Sequence, residues 1–364
     1  MFDCLYVDER KVYPTLVVST MSSGKSTLIN ALAGKELMPS KNRACTAKSA
    51  AILDNDMQDE FVIHAVNSDG KYTLIEHADQ KAVAKFNDTN EVLEMIIEGD
   101  IKGVKNSTKA MLLIDTPGIN NCLDTSHSDI TEQTLREFDE GLILYIINAQ
   151  QIGTYDDELF LKRIAAKLKE CPMFGVIFVI NKMDTVDPQK EPLDGVVENC
   201  RRYIEGKGIK EPLIIPVSSS AALLFKKVIG GEKLSEKNED EFALYYRCFK
   251  NDCFSLTNYI RDPELGDMNE VFEVDGTKYT KAALYGALRN TGFLALEAAI
   301  DSALVSSLEM KAPKIKFNKS QPNGNNPPAT VEETTAAGKK RTQATAKARS
   351  AKTTKKIKKR KKKR

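Results

Sequence analysis

The sequence has no tryptophan, three histidines in 364 residues, and no run of about 18 apolar residues. The missing apolar run argues against a membrane-spanning helix. His64, His77 and His127 share no metal-ligand spacing. The seven cysteines (Cys4, Cys45, Cys122, Cys171, Cys200, Cys248, Cys253) are odd in number, scattered and never form a CxxC pair. A disulfide framework or a Cys/His zinc site is therefore not expected, and a reducing compartment is. The opening MFDCLYVDERK has neither the apolar stretch nor the small-residue cleavage site of a secretory leader. The expected location is cytoplasmic. Charge is unevenly spread, with basic residues concentrated at the C-terminal end. Lys339–Arg364 hold 15 of the 53 basic residues and no Asp or Glu, which leaves 38 basic against 51 acidic residues in 1–338, a net of −13. The formal charge of +2 is the sum of an acidic body and a cationic tail.

Strand-like and helical patterns alternate through most of the chain. Thr15–Ser19, Ser49–Leu53, Phe61–Val66, Ala110–Asp115, Leu142–Asn148, Phe174–Asn181 and Leu213–Val217 read as strands. The last four are nearly continuous in Ile, Leu and Val, as expected where both faces are covered. Asn67–Gly70 is a turn signal from which Lys71–Ile75 returns as a hairpin. Helical patterns cover Lys25–Ala33, about Asp79–Phe86, Glu91–Glu98, Ile130–Glu140, Asp156–Lys169 and Leu193–Lys207. This order predicts a doubly wound, mainly parallel α/β sheet with helices on both faces. Beyond Lys227 the pattern changes, with helical stretches at Glu241–Phe249 and Phe254–Arg261 and an amphipathic helix over Thr291–Leu308. A folded domain over 1–310 is expected, followed by a disordered, strongly basic tail over 311–364.

Val17–Thr27 (VVSTMSSGKST) lies between a strand and a helix, the setting a Walker A phosphate loop requires. There, backbone amides and a helix N-terminus favour a polyphosphate. Ser22, Ser23, Gly24, Lys25, Ser26 and Thr27 are the candidate phosphate contacts. Lys25 would reach the β/γ-phosphates, and the Ser26 hydroxyl would bind Mg²⁺. Ser19 stands where such loops usually have their first glycine. Asp115-Thr116-Pro117-Gly118 ends the next strand, where Asp115 can hold a magnesium water and the Gly118 amide can bond the γ-phosphate. Asn181-Lys182-Met183-Asp184 ends a further strand, 66 residues after Asp115. The Asp184 carboxylate can accept both guanine N1–H and N2–H₂. Adenine lacks that donor pair and would leave the carboxylate unpaired. Asn181 would tie the base loop to the phosphate loop, and the Lys182 stem would cover the base. Backbone amides at Ser218 and Ser219 are candidates for guanine O6. Thr46 is the best candidate for a switch threonine that closes on Mg²⁺ and the γ-phosphate.

Together SSGKSTLINALAG (Ser22–Gly34), LMPSKNRACTA (Leu37–Ala47), DTPGINN (Asp115–Asn121) and NKMD (Asn181–Asp184) resemble the GTPase domain of the dynamin superfamily, particularly bacterial dynamin-like proteins. The resemblance covers roughly residues 12–308, and TGFLALEAAIDSAL (Thr291–Leu304) is similar to the helix that closes such domains. It implies an enlarged P-loop NTPase domain and a Mg²⁺-dependent GTPase, an acid anhydride hydrolase, activated when two such domains pair across the nucleotide. It also implies catalytic roles for Ser22, Lys25 and Thr46. Where the best-known members carry a loop glutamine this chain has Met21, and Ile119 follows Gly118, so neither side chain can orient water. Asp187 matches a family position that reaches the partner's base site, with a solvated turn aspartate as the alternative reading. No helical stalk follows the domain in this sequence, so membrane remodelling is not implied. A second dynamin-like chain is a conceivable partner. Beside a solvated, flexible extension, two readings of the tail stay open, anionic membrane and nucleic acid or ribosome. The first fits a dynamin-type hydrolase at the membrane periphery, the second a slow GTP-controlled binding module.

Overall fold

The computed structural model describes residues 5–6, 12–20, 22–39, 50–88, 92–105, 109–116, 140–170, 174–251, 256, 268–305 and 316–317. The chain divides into two compact units, Met1–Ile315 and Lys316–Arg364. After a two-residue strand β1 (Leu5–Tyr6), the first unit contains β2 (Val12–Ser19), α1 (Lys25–Ala33), β3 (Ala50–Asp54), β4 (Val62–Asn67), β5 (Tyr72–Ile75), α2 (Gln80–Asp88), β6 (Val92–Gly99), β7 (Ala110–Asp115) and β8 (Gly141–Asn148). There follow α3 (Tyr155–Glu170), β9 (Phe174–Asn181), α4 (Leu193–Glu205), β10 (Leu213–Pro216), α5 (Ser219–Ile229), α6 (Glu236–Phe249), the hairpin β11 (Val271–Val274) and β12 (Thr277–Thr280), α7 (Lys281–Asn290) and α8 (Phe293–Leu304).

Nine strands form one sheet in the order β10-β9-β8-β2-β7-β3-β6-β4-β5. From β10 to β7 every neighbouring pair is parallel. These strands are Ile-, Leu- and Val-rich because helices cover both faces, and all eight residues of β8 are buried. Their registers bring the C-terminal ends level. Val17 lies beside Asp115, Asn148 beside Asn181, and Ile180 beside Pro216. Between β8 and β9, Tyr145 donates a 2.7 Å bond to the buried Asp157. Asp157 also closes the first turn of α3 by accepting from the Thr154 hydroxyl at 2.9 Å. Burial first, and then the Asp157 charge, holds the Tyr145 phenol far above its usual range.

Beyond β7 the sheet changes character. β3 runs antiparallel to β7 and parallel to β6, while β4 and β5 alternate in direction. The sequence pattern predicts a helix over Glu91–Glu98, and the structure corrects it to a strand. Val92, Met95 and Ile96 recur at helical spacing, but the segment sits between β3 and β4. There, β-branched side chains packed on both sides outweigh periodicity. The predicted helix over Thr291–Leu308 is also shorter, because Gly292 takes a left-handed φ of 74° and separates α7 from α8. Helix α5, the β11–β12 hairpin and α7 carry no distinct sequence signal. Helix α5 and β12 meet α6 in an aromatic cluster in which Phe242 meets Phe225 at 5.5 Å and Tyr279 at 5.2 Å. The predicted helices at Ile130–Glu140 and most of Phe254–Arg261 lie outside the described residues.

Candidate nucleotide site

The loop after β2 is built from short internal bonds. The Ser23 hydroxyl donates to the Thr20 carbonyl at 2.9 Å and meets the Thr20 hydroxyl at 2.9 Å. Two left-handed residues shape the rest. Ser22, exposed, has φ 61°, a region few non-glycine residues occupy. Gly24 has φ 88° and caps the N-terminus of α1. A Cβ at Gly24 would meet the Asn181 amide nitrogen at 2.5 Å, so space and backbone both demand glycine there. Ser19 is the buried last residue of β2 and is not among the positive-φ residues, so it needs no glycine. Ser26 and Thr27 follow Lys25 in the first turn of α1 and are part-exposed.

The Lys25 ammonium donates to the Asp115 carboxylate and to the Thr116 carbonyl. Thr116 is fixed in turn by a 2.7 Å bond from its hydroxyl to the Val17 carbonyl. The lysine, the aspartate and the α1 N-terminus therefore converge at one end of the parallel strands. The Ser26 hydroxyl and the Asp115 carboxylate are hard oxygen donors and suit Mg²⁺ better than a softer ion. Gly118, Thr46 and Met21 lie outside the described residues.

The base-side loop is joined directly to the phosphate loop. The Asn181 amide donates to the Ser23 carbonyl at 2.9 Å, while its side-chain oxygen accepts from the Ser219 amide at 3.1 Å. Lys182 takes a left-handed φ of 63° and starts the turn Met183–Thr185 that presents Asp184. The Ser218 hydroxyl donates to Asp184 at 2.6 Å and is also the N-cap of α5. The Ser219 hydroxyl is buried with no hydrogen-bond partner among the described residues.

Two contributors are invisible in the motifs. Thr291 accepts the Ser218 amide at 3.0 Å through its carbonyl, and Gly292 packs on Pro216 so closely that no side chain fits. Tyr245, from α6, lies near Asp184. Burial, then the Asp184 charge, pushes its phenol up to about 12. Both stretches read as helices from the sequence, but nothing local tells that they reach the base loop; only the conformational demand for glycine at 292 hints at it. Asp187 is turned to its own loop, accepting from the Gln189 amide at 3.0 Å and pairing with Lys190 at 3.2 Å.

A glycine-shaped phosphate loop, an aspartate on the neighbouring strand and an Asn-Lys-x-Asp turn at one sheet edge define a P-loop GTPase fold. Residues 16–183, somewhat under half of the chain, match the model of the dynamin family. A bacterial dynamin-like protein of Nostoc punctiforme is 26% identical over 247 residues, 59% of this chain and 33% of its own. An uncharacterized protein of Caldicellulosiruptor sp. is 25% identical over 234 residues, 63% of this chain and 54% of its own. The matches thus span about a third and about half of those relatives' lengths. A solved structure of an oligomerised bacterial dynamin pair aligns with 80% of this chain and 41% of its own, at 17% identity and a TM-score of 0.44. Among the described residues, no helix is long and apolar enough to cross a membrane.

Proposed function

We propose that the chain binds GTP with Mg²⁺ and hydrolyses it to GDP and phosphate, with turnover stimulated when two GTPase domains pair. The observation that carries this reading is Asn181, whose one amide group bonds both the phosphate loop and the loop after β10. A ligand spanning that junction has a polyphosphate at one end and a base at the other. Asp184 would select guanine, with Ser218 holding its carboxylate in place. The α1 amides and Lys25 would hold the β- and γ-phosphates and counter the charge that develops as water attacks in line. On GTP binding Lys25 would exchange its bonds to Asp115 and Thr116 for phosphate oxygens. That exchange frees the Asp115 carboxylate to face the ion. Mg²⁺, when bound by Ser26 and Asp115, neutralises phosphate charge. Thr46 and Gly118 would complete the site, and by resemblance Ser22 would stabilise the transition state.

Pairing is implied by the dynamin resemblance; Met21 and Ile119 cannot orient water, a role left to a backbone carbonyl, the Thr46 region or a partner. The test is single-turnover GTP hydrolysis over a wide range of protein concentration. A rate per protomer that rises with concentration is expected; a flat, negligible rate would contradict stimulation by pairing. Residues 1–310 hold 34 basic and 49 acidic residues, so attachment to a polyanion would rest on the tail. We place that attachment at anionic membrane, with nucleic acid as the second reading. Removing residues 339–364 should abolish salt-sensitive co-sedimentation with anionic vesicles and leave GTP affinity unchanged. Retention on RNA but not on vesicles would favour the second reading.

A further inference from the structure

The phosphate-loop helix α1 is gripped at its far end by side chains that the nucleotide chemistry does not use. Lys226, on α5, donates to the last-turn carbonyls of Ala31 at 2.7 Å and Leu32 at 3.4 Å. Its third bond goes to Glu297 of α8, and its ammonium lies 5.0 Å from the Phe293 ring centre. The pair is enclosed, with the Lys226 side chain 15% and the Glu297 side chain 5% exposed. All three ammonium protons are therefore committed, two to a helix end whose carbonyls carry partial negative charge. Lys227, next on α5, pairs with Glu232 at 2.8 Å and with Glu36, in the loop after α1, at 3.1 Å.

From the same face of α8, Asp301 accepts the Lys105 amide at 2.9 Å, and Gly103 lies too close to the Glu297 carboxylate to carry a side chain. The loop at 103–105 precedes β7, the strand that ends in Asp115. One face of α8 thus meets both Lys226, which binds the end of α1, and the loop that leads toward β7 and Asp115.

We propose that Lys226 is a positioning residue for the phosphate loop, fixing α1 against α5 and, through Glu297, against α8. Its role is to hold the phosphate half of the site at a constant separation from the base half, which Ser218 and Thr291 anchor at the N-terminal ends of the same two helices, α5 and α8. The affinity consequence rests on the GTP reading above; the mechanical claim about α1 does not. Loss of the grip loosens α1 along its length and weakens binding of GTP and GDP, without altering the preference for guanine over adenine.

The test uses the full chain with Lys226→Met, Lys226→Arg, and the double variant Lys226→Met with Glu297→Met, which leaves no unpaired buried carboxylate. Amide hydrogen exchange without nucleotide should speed up in peptides covering Lys25–Ala33, with Phe174–Asn181 unchanged. GTP and GDP affinity with Mg²⁺ should fall about tenfold while the GTP-to-ATP ratio holds, and Lys226→Arg should restore most of both. Unchanged exchange in α1, or equal loosening of both segments, would overturn the proposal. If Lys226→Met alone does not fold, the double variant gives the same decision. If the wild-type chain binds no GTP, the guanine reading fails and the exchange result still decides the role of Lys226.

Discussion

On one side of the central sheet, β10, β9, β8, β2 and β7 run parallel; on the other, β3, β6, β4 and β5 change direction three times counting the step from β7. The parallel side gathers the C-terminal strand ends, so Ser19, Asp115, Asn181 and Pro216 open onto one edge without any of them having to reach. The alternating side scatters its strand ends and spends its polar groups internally. His64 on β4 meets the Tyr72 hydroxyl at 2.8 Å and Glu98 at 2.9 Å, and Asn55 donates to the other Glu98 oxygen at 2.7 Å. Strand direction alone thus separates a half that presents chemistry from a half that holds itself together.

The contrast can be tested from the parallel side first, where effects should be largest. Lys25→Ala removes the only cation placed for the phosphates among the described residues of the loop, and GTP affinity should drop more than about 100-fold in a calorimetric titration. Unchanged affinity would remove the phosphate site from this edge. Asp184→Asn comes next. It replaces an acceptor by a donor facing guanine N1–H, so GTP should weaken by about 2–3 kcal/mol while xanthosine triphosphate gains. A variant that still selects GTP would relocate base recognition.

The alternating side should give the smallest effect, visible in pH rather than in binding. Burial opposes the Glu98 carboxylate, yet the bonds from His64 and Asn55 outweigh it, so its pKa is lowered from 4.5. A lowered carboxylate contributes stability that is present above its unfolded value and is lost as pH falls through the folded one. Glu98→Gln should therefore cost about 1 kcal/mol near neutral pH and show a shallower loss of stability below about pH 4.5 than the wild type in urea melts. GTP affinity should not change. Parallel acid curves for the two proteins would show that Glu98 is not ionised as described.

The same contrast explains what could be read from the residues. Lys25–Ala33, Ala110–Asp115 and Phe174–Asn181 have the boundaries their patterns predict, because continuous apolar runs next to glycine- or aspartate-bearing turns have only one reading in a parallel sheet. Glu91–Glu98 did not, because a strand with Glu94 and Glu98 bound to neighbours mimics an amphipathic helix. At the site, the contiguous motifs were visible and the tertiary contributors were not. Thr291 and Tyr245 reach the base loop from elements more than 60 residues beyond Asp184. Lys226 and Glu297 are 71 residues apart and meet only in the folded chain. No local pattern encodes such pairings, although a buried Lys–Glu pair is costly unless geometry completes it.

The central claim is that one edge of the parallel half is a guanine-nucleotide site. Direct titration of the full chain with GTP and with ATP, each with Mg²⁺, tests it. The account predicts one saturable GTP site per chain, with ATP weaker by on the order of 10² or more, since adenine leaves Asp184 unpaired. Equal affinity for the two nucleotides, or binding of neither, would contradict it.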